Sequence, residues 1–296
     1  MPISRVTQRM ITNRSLSGLQ MGLSRLAKSQ EQLTTGRVLN RPSDSPTGTT
    51  AAMRMRAKIS DQAQYQRNAQ DGSGWLGQAD TTLTSMLSQV RRARDISVQG
   101  VNMVSMGPGA REGLAAEVDQ LRASMLSSAN ATYLDRPIFG GVVAGSTAYD
   151  ATGTFVGVSG PVQRTIADGV KVTVNVDGPS VLGASGATVF DNLSQLSTAL
   201  RAGDTAGIQA AMNGLGDAQS RITTALSDVG ARANQVDRAI QASQDASLDL
   251  TSALSNVENV DLVKATTDMQ LNQVAYQAAL AATAKLTQPS LTDFLR

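Results

Sequence analysis

The sequence predicts a mainly α-helical protein, built as a long antiparallel helical rod in which both chain ends form a terminal coiled coil, plus a small β-rich inserted domain. Hydrophobic residues make up 41% of the 296 residues but aromatic residues only 3%, which favours long thin helical layers over a compact core. Leucines near the amino end recur in a three-and-four rhythm. A stretch rich in Gly, Val, Thr and Ser then interrupts the helical periodicity in the middle of the chain.

The first predicted helix runs from about Ser4 to Thr35. Its apolar positions are separated by three or four residues, with Gln30 in the same series, as in one seam of a left-handed coiled coil. Gly36 is well placed as a left-handed residue after the helix, and Pro42 and Pro46 oppose its continuation. The leucines of this seam are Leu16, Leu19, Leu23, Leu26 and Leu33.

A second helix is expected to begin near Thr47 to Thr50 and to break at the glycines of GSGWLG, residues 72–77. Beyond that break a long helix is predicted, ending at Gly107, Pro108 and Gly109. A shorter helix should follow and close near Ala131. The seam of the long helix comprises Leu76, Ala79, Leu83, Met86, Val90, Ala93, Ser97, Val101 and Val104.

Strand signals replace helical ones from Arg136 to about Ala187. VKVTVNV at 170–176 alternates apolar and polar residues, and Asp177-Gly178 behind it is typical of a turn. Asp191 is a candidate cap for the helix that follows, after which helical periodicity returns. We therefore divide the chain into 1–46 (inner coiled coil and linker), 47–136 (helical rod), 137–189 (β insertion), 190–249 (helical rod) and 250–296 (inner coiled coil).

The last predicted helix, about 250–295, keeps one apolar face that includes Leu254, Val257, Leu271 and Val274, with a phase change near Val257 to Val260 of the stutter type. Its final turns place Ala, Thr and Gln at seam positions, and such a seam is too weak to hold a lone hairpin. Leu291, Phe294 and Leu295 form an apolar patch with no local partner. These surfaces indicate subunits that bury their terminal helices against one another; the alternative is a simple coiled coil within one chain.

Charge is distributed unevenly along the chain. Residues 1–60 carry ten Lys or Arg against Glu31 and Asp44, whereas residues 237–296 carry four Lys or Arg against seven acidic residues. Opposite charge at opposite ends suggests that the two ends meet. A basic tail for nucleic acid or membrane is the alternative, but the charges are spread singly along a helix and lack interleaved aromatic residues. We predict neither nucleic acid nor membrane as a partner.

The composition also excludes much chemistry. The chain has no cysteine and no histidine, which removes disulfides, thiol nucleophiles, zinc sites of the usual type and every Ser/His or Cys/His arrangement. GSGWLG matches G-x-G-x-x-G, but a polar helical stretch precedes it where a dinucleotide site needs a strand. We predict no enzyme, no cofactor and no metal site.

Several stretches resemble the flagellin family. QLTTGRVLNRPSDSPTGTTAAMRMR at 32–56 is similar to the first inter-helix motif of that family, and NRPSD at 40–44 resembles the form in its FlgL-like hook-filament junction branch, the hook-associated proteins of type 3. RNAQDGSGWLGQAD from residue 67, IFGG at 138–141, VGARANQVDRAI at 229–240 and the terminal LTDFLR follow in the family's order. The resemblance covers roughly 1–145 and 190–296.

The resemblance implies a subunit that leaves the cell unfolded through the flagellar type III channel and forms one ring between the hook-side junction protein and flagellin. It implies an extracellular place in the flagellum, contacts with like subunits, and an export chaperone on about Val257 to Leu295. It also implies that the first helix pairs with the last, with the leucine seam against Leu254, Val257, Leu271 and Val274. The loop 36–46 would let the chain turn from this inner coiled coil into the outer rod.

Residues of that loop, namely Gly36, Asn40, Arg41, Pro42, Ser43 and Asp44, would stiffen it, cap helix ends or bond neighbouring subunits; a purely local turn is the alternative. A filament flagellin is the rival function within the family. An enzyme or ligand-binding module carried by the β insertion is the rival from another class.

Overall fold

The computed structural model describes residues 3–102, 107–142, 145 and 147–287, which form seven helices and four short strands and confirm the mainly α-helical class. The helices are α1 (Ile3–Thr35), α2 (Pro46–Asn102), α3 (Pro108–Ala129), α4 (Gly178–Leu182), α5 (Val189–Ala202), α6 (Thr205–Glu258) and α7 (Leu262–Thr287). The strands are β1 (Thr132–Tyr133), β2 (Arg136–Pro137), β3 (Gln163–Ala167) and β4 (Val170–Thr173).

The chain folds as two compact units. A terminal unit comprises Met1–Ser60 and Leu248–Arg296, and a central unit comprises Asp61–Ser247. Both chain ends therefore belong to one unit, in which α1 packs against α7. The five-segment division made from the sequence remains a prediction.

The core of the central unit is centred on α2. Each seam residue from Leu76 to Ser97 is fully buried, as the spacing predicted, whereas Val104 lies outside the described residues. Helix α3 packs on α5, and Tyr149, Phe139 and Phe190 fill the space beside them. Burying a side chain of leucine size stabilises a fold by about 1.5–3 kcal/mol, so this continuous apolar row is the main source of the unit's stability.

The predicted helix break at GSGWLG is wrong, because α2 continues through residues 72–77 without interruption. Its glycines allow the β region to approach the helix closely. A Cβ atom at Gly74 would overlap the Tyr133 hydroxyl and lie 2.9 Å from its Cζ, and one at Gly72 would lie 3.0 Å from Val174 Cγ1. The glycines are therefore packing residues inside a helix.

Two prolines are the first residues of helices. Pro46 was predicted to precede the second helix, and Pro108 was predicted to end the long helix. Pro46 is the first residue of α2, and the Ser45 hydroxyl before it accepts a hydrogen bond from the Gly48 amide at 3.1 Å. Pro108 begins α3, with Gly107 as its capping residue. Proline is favoured at the first helical position because its missing N–H has no partner there anyway.

The strand predicted at VKVTVNV is shorter than its alternating pattern. Strands β3 and β4 form an antiparallel hairpin with Gln163 opposite Thr173, so β4 covers only the first half of VKVTVNV. Asp177-Gly178 is not a hairpin turn, because Gly178 starts the short helix α4. Helix α5 is capped by Thr188 rather than Asp191, which instead completes the capping box three residues later.

The predicted continuous last helix is interrupted. Helix α6 ends at Glu258 and α7 starts at Leu262, so the phase change interpreted as a stutter marks a helix break. Asp261 begins the new helix, since its Oδ1 accepts hydrogen bonds from the amides of Val263 and Lys264 at 3.0 and 3.2 Å. A carboxylate at this position satisfies amides that lack partners within the helix.

Candidate assembly interface and inter-helix junction

Helices α1 and α7 run antiparallel in the terminal unit. The Asn272 amide donates to the Ser29 hydroxyl at 3.1 Å, while a Cβ at Gly22 would lie 3.3 Å from the Tyr276 ring. Residues nearer the start of α1 therefore contact residues nearer the end of α7. Buried or half-buried positions recur every three or four residues on both helices, as in a coiled coil. They are Ser15, Leu19, Gly22, Leu26, Ser29 and Leu33 on α1, and Ala265, Met269, Asn272, Tyr276, Ala279 and Thr283 on α7.

Four of the residues predicted to pair in this seam lie outside it. Leu16 and Leu23 are 55% and 53% exposed, and Leu271 and Val274 are each 63% exposed. The prediction that they pair within one chain is therefore wrong, whereas Leu19, Leu26 and Leu33 are half-buried on the seam face. The small residues Gly22 and Ser29 decide the difference, because they make room for Tyr276 and Asn272.

The four exposed residues outside the seam create an apolar surface on the terminal unit. Leu280, 43% exposed, and Val263, 78% exposed, add to it on α7. Leu254 and Val257, near the end of α6, are half-buried, and Leu291, Phe294 and Leu295 lie outside the described residues. Exposed apolar side chains spread along two adjacent helices form the type of surface that another protein covers.

The loop between α1 and α2 is held by local bonds. Gly36 has the expected left-handed conformation, with φ of +69°. The Asp44 carboxylate accepts hydrogen bonds from the amides of Asn40 and Arg41 at 3.2 and 2.9 Å and pairs with the Lys28 ammonium at 3.0 Å. Lys28 and these amides lower the pKa of Asp44 below its usual range. Pro42 and Ser43 form the turn that carries the chain back from Arg41 to Asp44.

The same loop is joined by its backbone to the break between α6 and α7. The Val38 amide donates to the Glu258 carbonyl at 2.7 Å, and the Val260 amide donates to the Gly36 carbonyl at 3.0 Å. Two short irregular segments thereby satisfy each other's backbone groups. We call residues 36–38 and 258–260 the inter-helix junction.

A buried carboxylate fastens this junction to α2. The Glu258 side chain is only 8% exposed, and both of its oxygens accept from the Arg56 guanidinium, at 2.8 and 2.9 Å. Our sequence reasoning did not identify this pair. The available signal was that Glu258, one of only four glutamates, stands near the end of a helical pattern, where the helix dipole disfavours negative charge.

The described part of the chain offers no metal site, since its acidic residues nowhere form a group of three that could hold an ion. None of the described helices is both long and apolar enough to cross a membrane.

Comparison with known proteins agrees with this architecture. The bacterial flagellin N-terminal helical region matches residues 6–141, and the bacterial flagellin C-terminal helical region matches residues 212–295. The flagellar filament 33 kDa core protein of Treponema phagedenis is 25% identical over 94% of this chain and 96% of its own length. Flagellar hook-associated protein 3 of Escherichia coli is 21% identical over 94% of this chain and 95% of its own.

A solved structure of a flagellar hook-associated protein from Vibrio parahaemolyticus has the same fold. It superimposes with a TM-score of 0.68 at 24% sequence identity and covers 73% of this chain and 100% of its own. The two helical regions of the flagellin family together match well over half of the sequence, in order and at both ends. The chain therefore belongs to the flagellin family of structural, non-enzymatic proteins of the bacterial flagellum, with a fold like that of its hook-associated members.

Proposed function

We propose that this chain is a junction subunit that forms one ring between the hook and the flagellin filament. The observation that carries an assembly role is the apolar surface of the terminal unit, where Leu16, Leu23, Leu271 and Val274 are exposed in a single chain. Like subunits, the hook-side junction protein and flagellin are the partners that would cover it. The similarity of the fold to hook-associated structures supports the junction over other places in the flagellum.

Export would precede assembly. The subunit would leave the cell unfolded through the flagellar type III channel and function outside it. A cytoplasmic chaperone would bind the C-terminal segment, about Val257 to Leu295, which includes α7, as an amphipathic ligand in a groove. Exposed Leu271 and Val274 on α7 support this role, because the same apolar face would be covered by the chaperone before export and by other subunits afterwards.

A filament subunit is the second candidate. Among the curated relatives, filament proteins from Treponema and flagellin from Bacillus subtilis match nearly the whole chain, as the hook-associated proteins do. Both classes would bury the same terminal helices, so the surface on α1 and α7 does not separate them.

Deletion of the gene separates the two candidates. Electron microscopy of the deletion strain, together with an assay for flagellin in the culture medium, should show bare hooks and shed flagellin if the chain is the junction subunit. Absent filaments with no shed flagellin would identify it as the filament subunit. Normal filaments would contradict the junction proposal and leave a minor or redundant subunit.

A further inference from the structure

Among the described strands, none pairs with the outer edge of β4, which faces α6. The Val174 amide bonds across the hairpin to the Val162 carbonyl at 2.9 Å. Because backbone groups alternate in direction along an antiparallel strand, the carbonyls on either side of Val174, those of Thr173 and Asn175, point away from β3. An edge of this kind is a template on which another strand can form.

Arg232 of α6 occupies this edge. Its Nη1 donates to the Asn175 carbonyl at 3.1 Å and lies 3.4 Å from the Thr173 carbonyl. Its Nη2 pairs with Asp228, one helical turn earlier. The guanidinium thus bonds where the N–H groups of a neighbouring strand would bond, and Asp228 holds it in place.

Open space lies beside the part of the edge formed by Thr173 and Asn175. A cavity of about 930 Å³ lies between α6 and the segments 159–161 and 173–181, and Thr173, Asn175, Ala225 and Arg232 are among its lining residues. The Asn175 side chain is already used within the hairpin region, because it accepts from the Val162 amide and donates to the Gly160 carbonyl. Arg232 is therefore the group that stands between open space and the two edge carbonyls.

We propose that Arg232 guards this edge and prevents a second copy of the chain from adding its own β4 strand there. The second copy is the expected occupant because two identical edges can pair with each other about a two-fold axis, each supplying what the other needs. This inference explains Arg232 within the VGARANQVDRAI segment, and it concerns only the central unit. It does not depend on whether the subunit acts at the junction or in the filament.

Cross-linking through a single introduced cysteine tests the proposal, since the chain has none of its own. In a β4–β4 pair centred on Thr173, the two Cα atoms would lie about 5.5 Å apart. We would compare Thr173→Cys alone, Thr173→Cys with Arg232→Met, and Thr173→Cys with Arg238→Met, using a bis-maleimide that tolerates a shift of register. Arg238 is an exposed arginine on the same helix and serves as the matched control.

Cross-linked dimer should increase at least tenfold in the Arg232→Met protein and rise with protein concentration, while the other two proteins stay low. Equal cross-linking in all three, or none in the Arg232→Met protein, would overturn the proposal. Circular dichroism establishes that each variant is folded. If the Arg232→Met protein is not folded, Arg232→Lys replaces it, because lysine keeps the charge but lacks the planar fork. Cross-linking of the Arg232→Lys protein should then exceed that of Thr173→Cys alone. Equal cross-linking of these two proteins would refute the proposed role of Arg232.

Discussion

Arg56 and Glu258 differ in exposure although they form one ion pair. The Arg56 side chain is 54% exposed and Glu258 only 8%. Loss of Arg56 would leave a buried carboxylate without its cation, whereas loss of the Glu258 charge would leave an arginine that water can solvate. Most of the free-energy cost of breaking such a pair comes from the buried partner that is left without its counter-charge.

We therefore expect Arg56→Met to lower the free energy of unfolding of the terminal unit by about 1–3 kcal/mol, and Glu258→Gln to lower it by less. Urea unfolding, monitored by hydrogen exchange of the amides in the inter-helix junction, measures both effects. Arg54→Met, at an exposed position two residues away in α2, is the control and should change little. Equal losses for Arg56→Met and Glu258→Gln would show that burial does not govern this pair.

Asp44 makes the loop between α1 and α2 sensitive to acid. Its pKa is lowered in the folded state by Lys28 and by the amides of Arg41 and Asn40, from about 3.9 in an unfolded chain. The ionised carboxylate therefore stabilises the loop fully above about pH 4, and this contribution is lost as the pH falls through the folded-state pKa.

Protection of the Asn40 and Arg41 amides against hydrogen exchange should consequently fall when the pH is lowered from 6 to below about 4. In Asp44→Asn, protection should be low at both pH values, because the neutral amide is a weaker acceptor and does not titrate. Hydrogen exchange detected by NMR, corrected for the intrinsic pH dependence, measures the difference. A pH response that survives in Asp44→Asn would assign the effect to another group.

At the scale of an element, the glycines of α2 have opposite roles within one short stretch. Gly74 faces Tyr133, which packs edge-on against Trp75 at 5.5 Å between ring centroids. Gly77 has no atom within 4 Å of the position where a Cβ would stand. A methyl group at Gly74 must displace a packed ring, whereas one at Gly77 enters open space.

Gly77→Ala should raise the free energy of unfolding by about 0.5–1 kcal/mol, the gain in helix propensity. Gly74→Ala should lower it, because overpacking of about 1–3 kcal/mol exceeds that gain. Thermal unfolding of the two variants against the parent protein is sufficient. If both variants were stabilised, Tyr133 would have to move at little cost, and the close approach would not be a constraint.

At the scale of the whole molecule, the terminal and central units differ in how much of their stability comes from their own buried core. The central unit has a continuous apolar core, with Leu83, Val90 and Val118 fully buried. In the terminal unit, α1 and α7 meet through small and polar side chains such as Ser29 and Asn272. A thin seam of this kind contributes little in isolation, so the terminal unit gains most from partners.

Leu23→Asp should accordingly abolish incorporation into the flagellum while leaving the central unit folded, because Leu23 is exposed in the single chain but belongs to the proposed assembly surface. Gln20→Asp places the same charge on a neighbouring exposed position of α1 and should be tolerated. Incorporation is measured by motility and by immunodetection of the protein in purified flagella, and folding by circular dichroism. Normal incorporation of Leu23→Asp would count against this surface.

The sequence by itself determined the helical class, the bounds of α1, the buried seam of α2 and the family, because long periodic patterns and local motifs are properties of neighbouring residues along the chain. Only the tertiary structure decided which face of α1 is covered, since both the leucine series and the series through Ser15, Gly22 and Ser29 follow a coiled-coil rhythm. Tyr276 and Asn272, far away in the sequence, select the second series. Likewise, the glycines of α2 remain helical because Tyr133 and Val174 pack against them, and Arg232 and Glu258 acquire their roles from carbonyl groups and cations brought near by folding. Local propensity yields when a distant side chain supplies a contact worth more than the propensity itself.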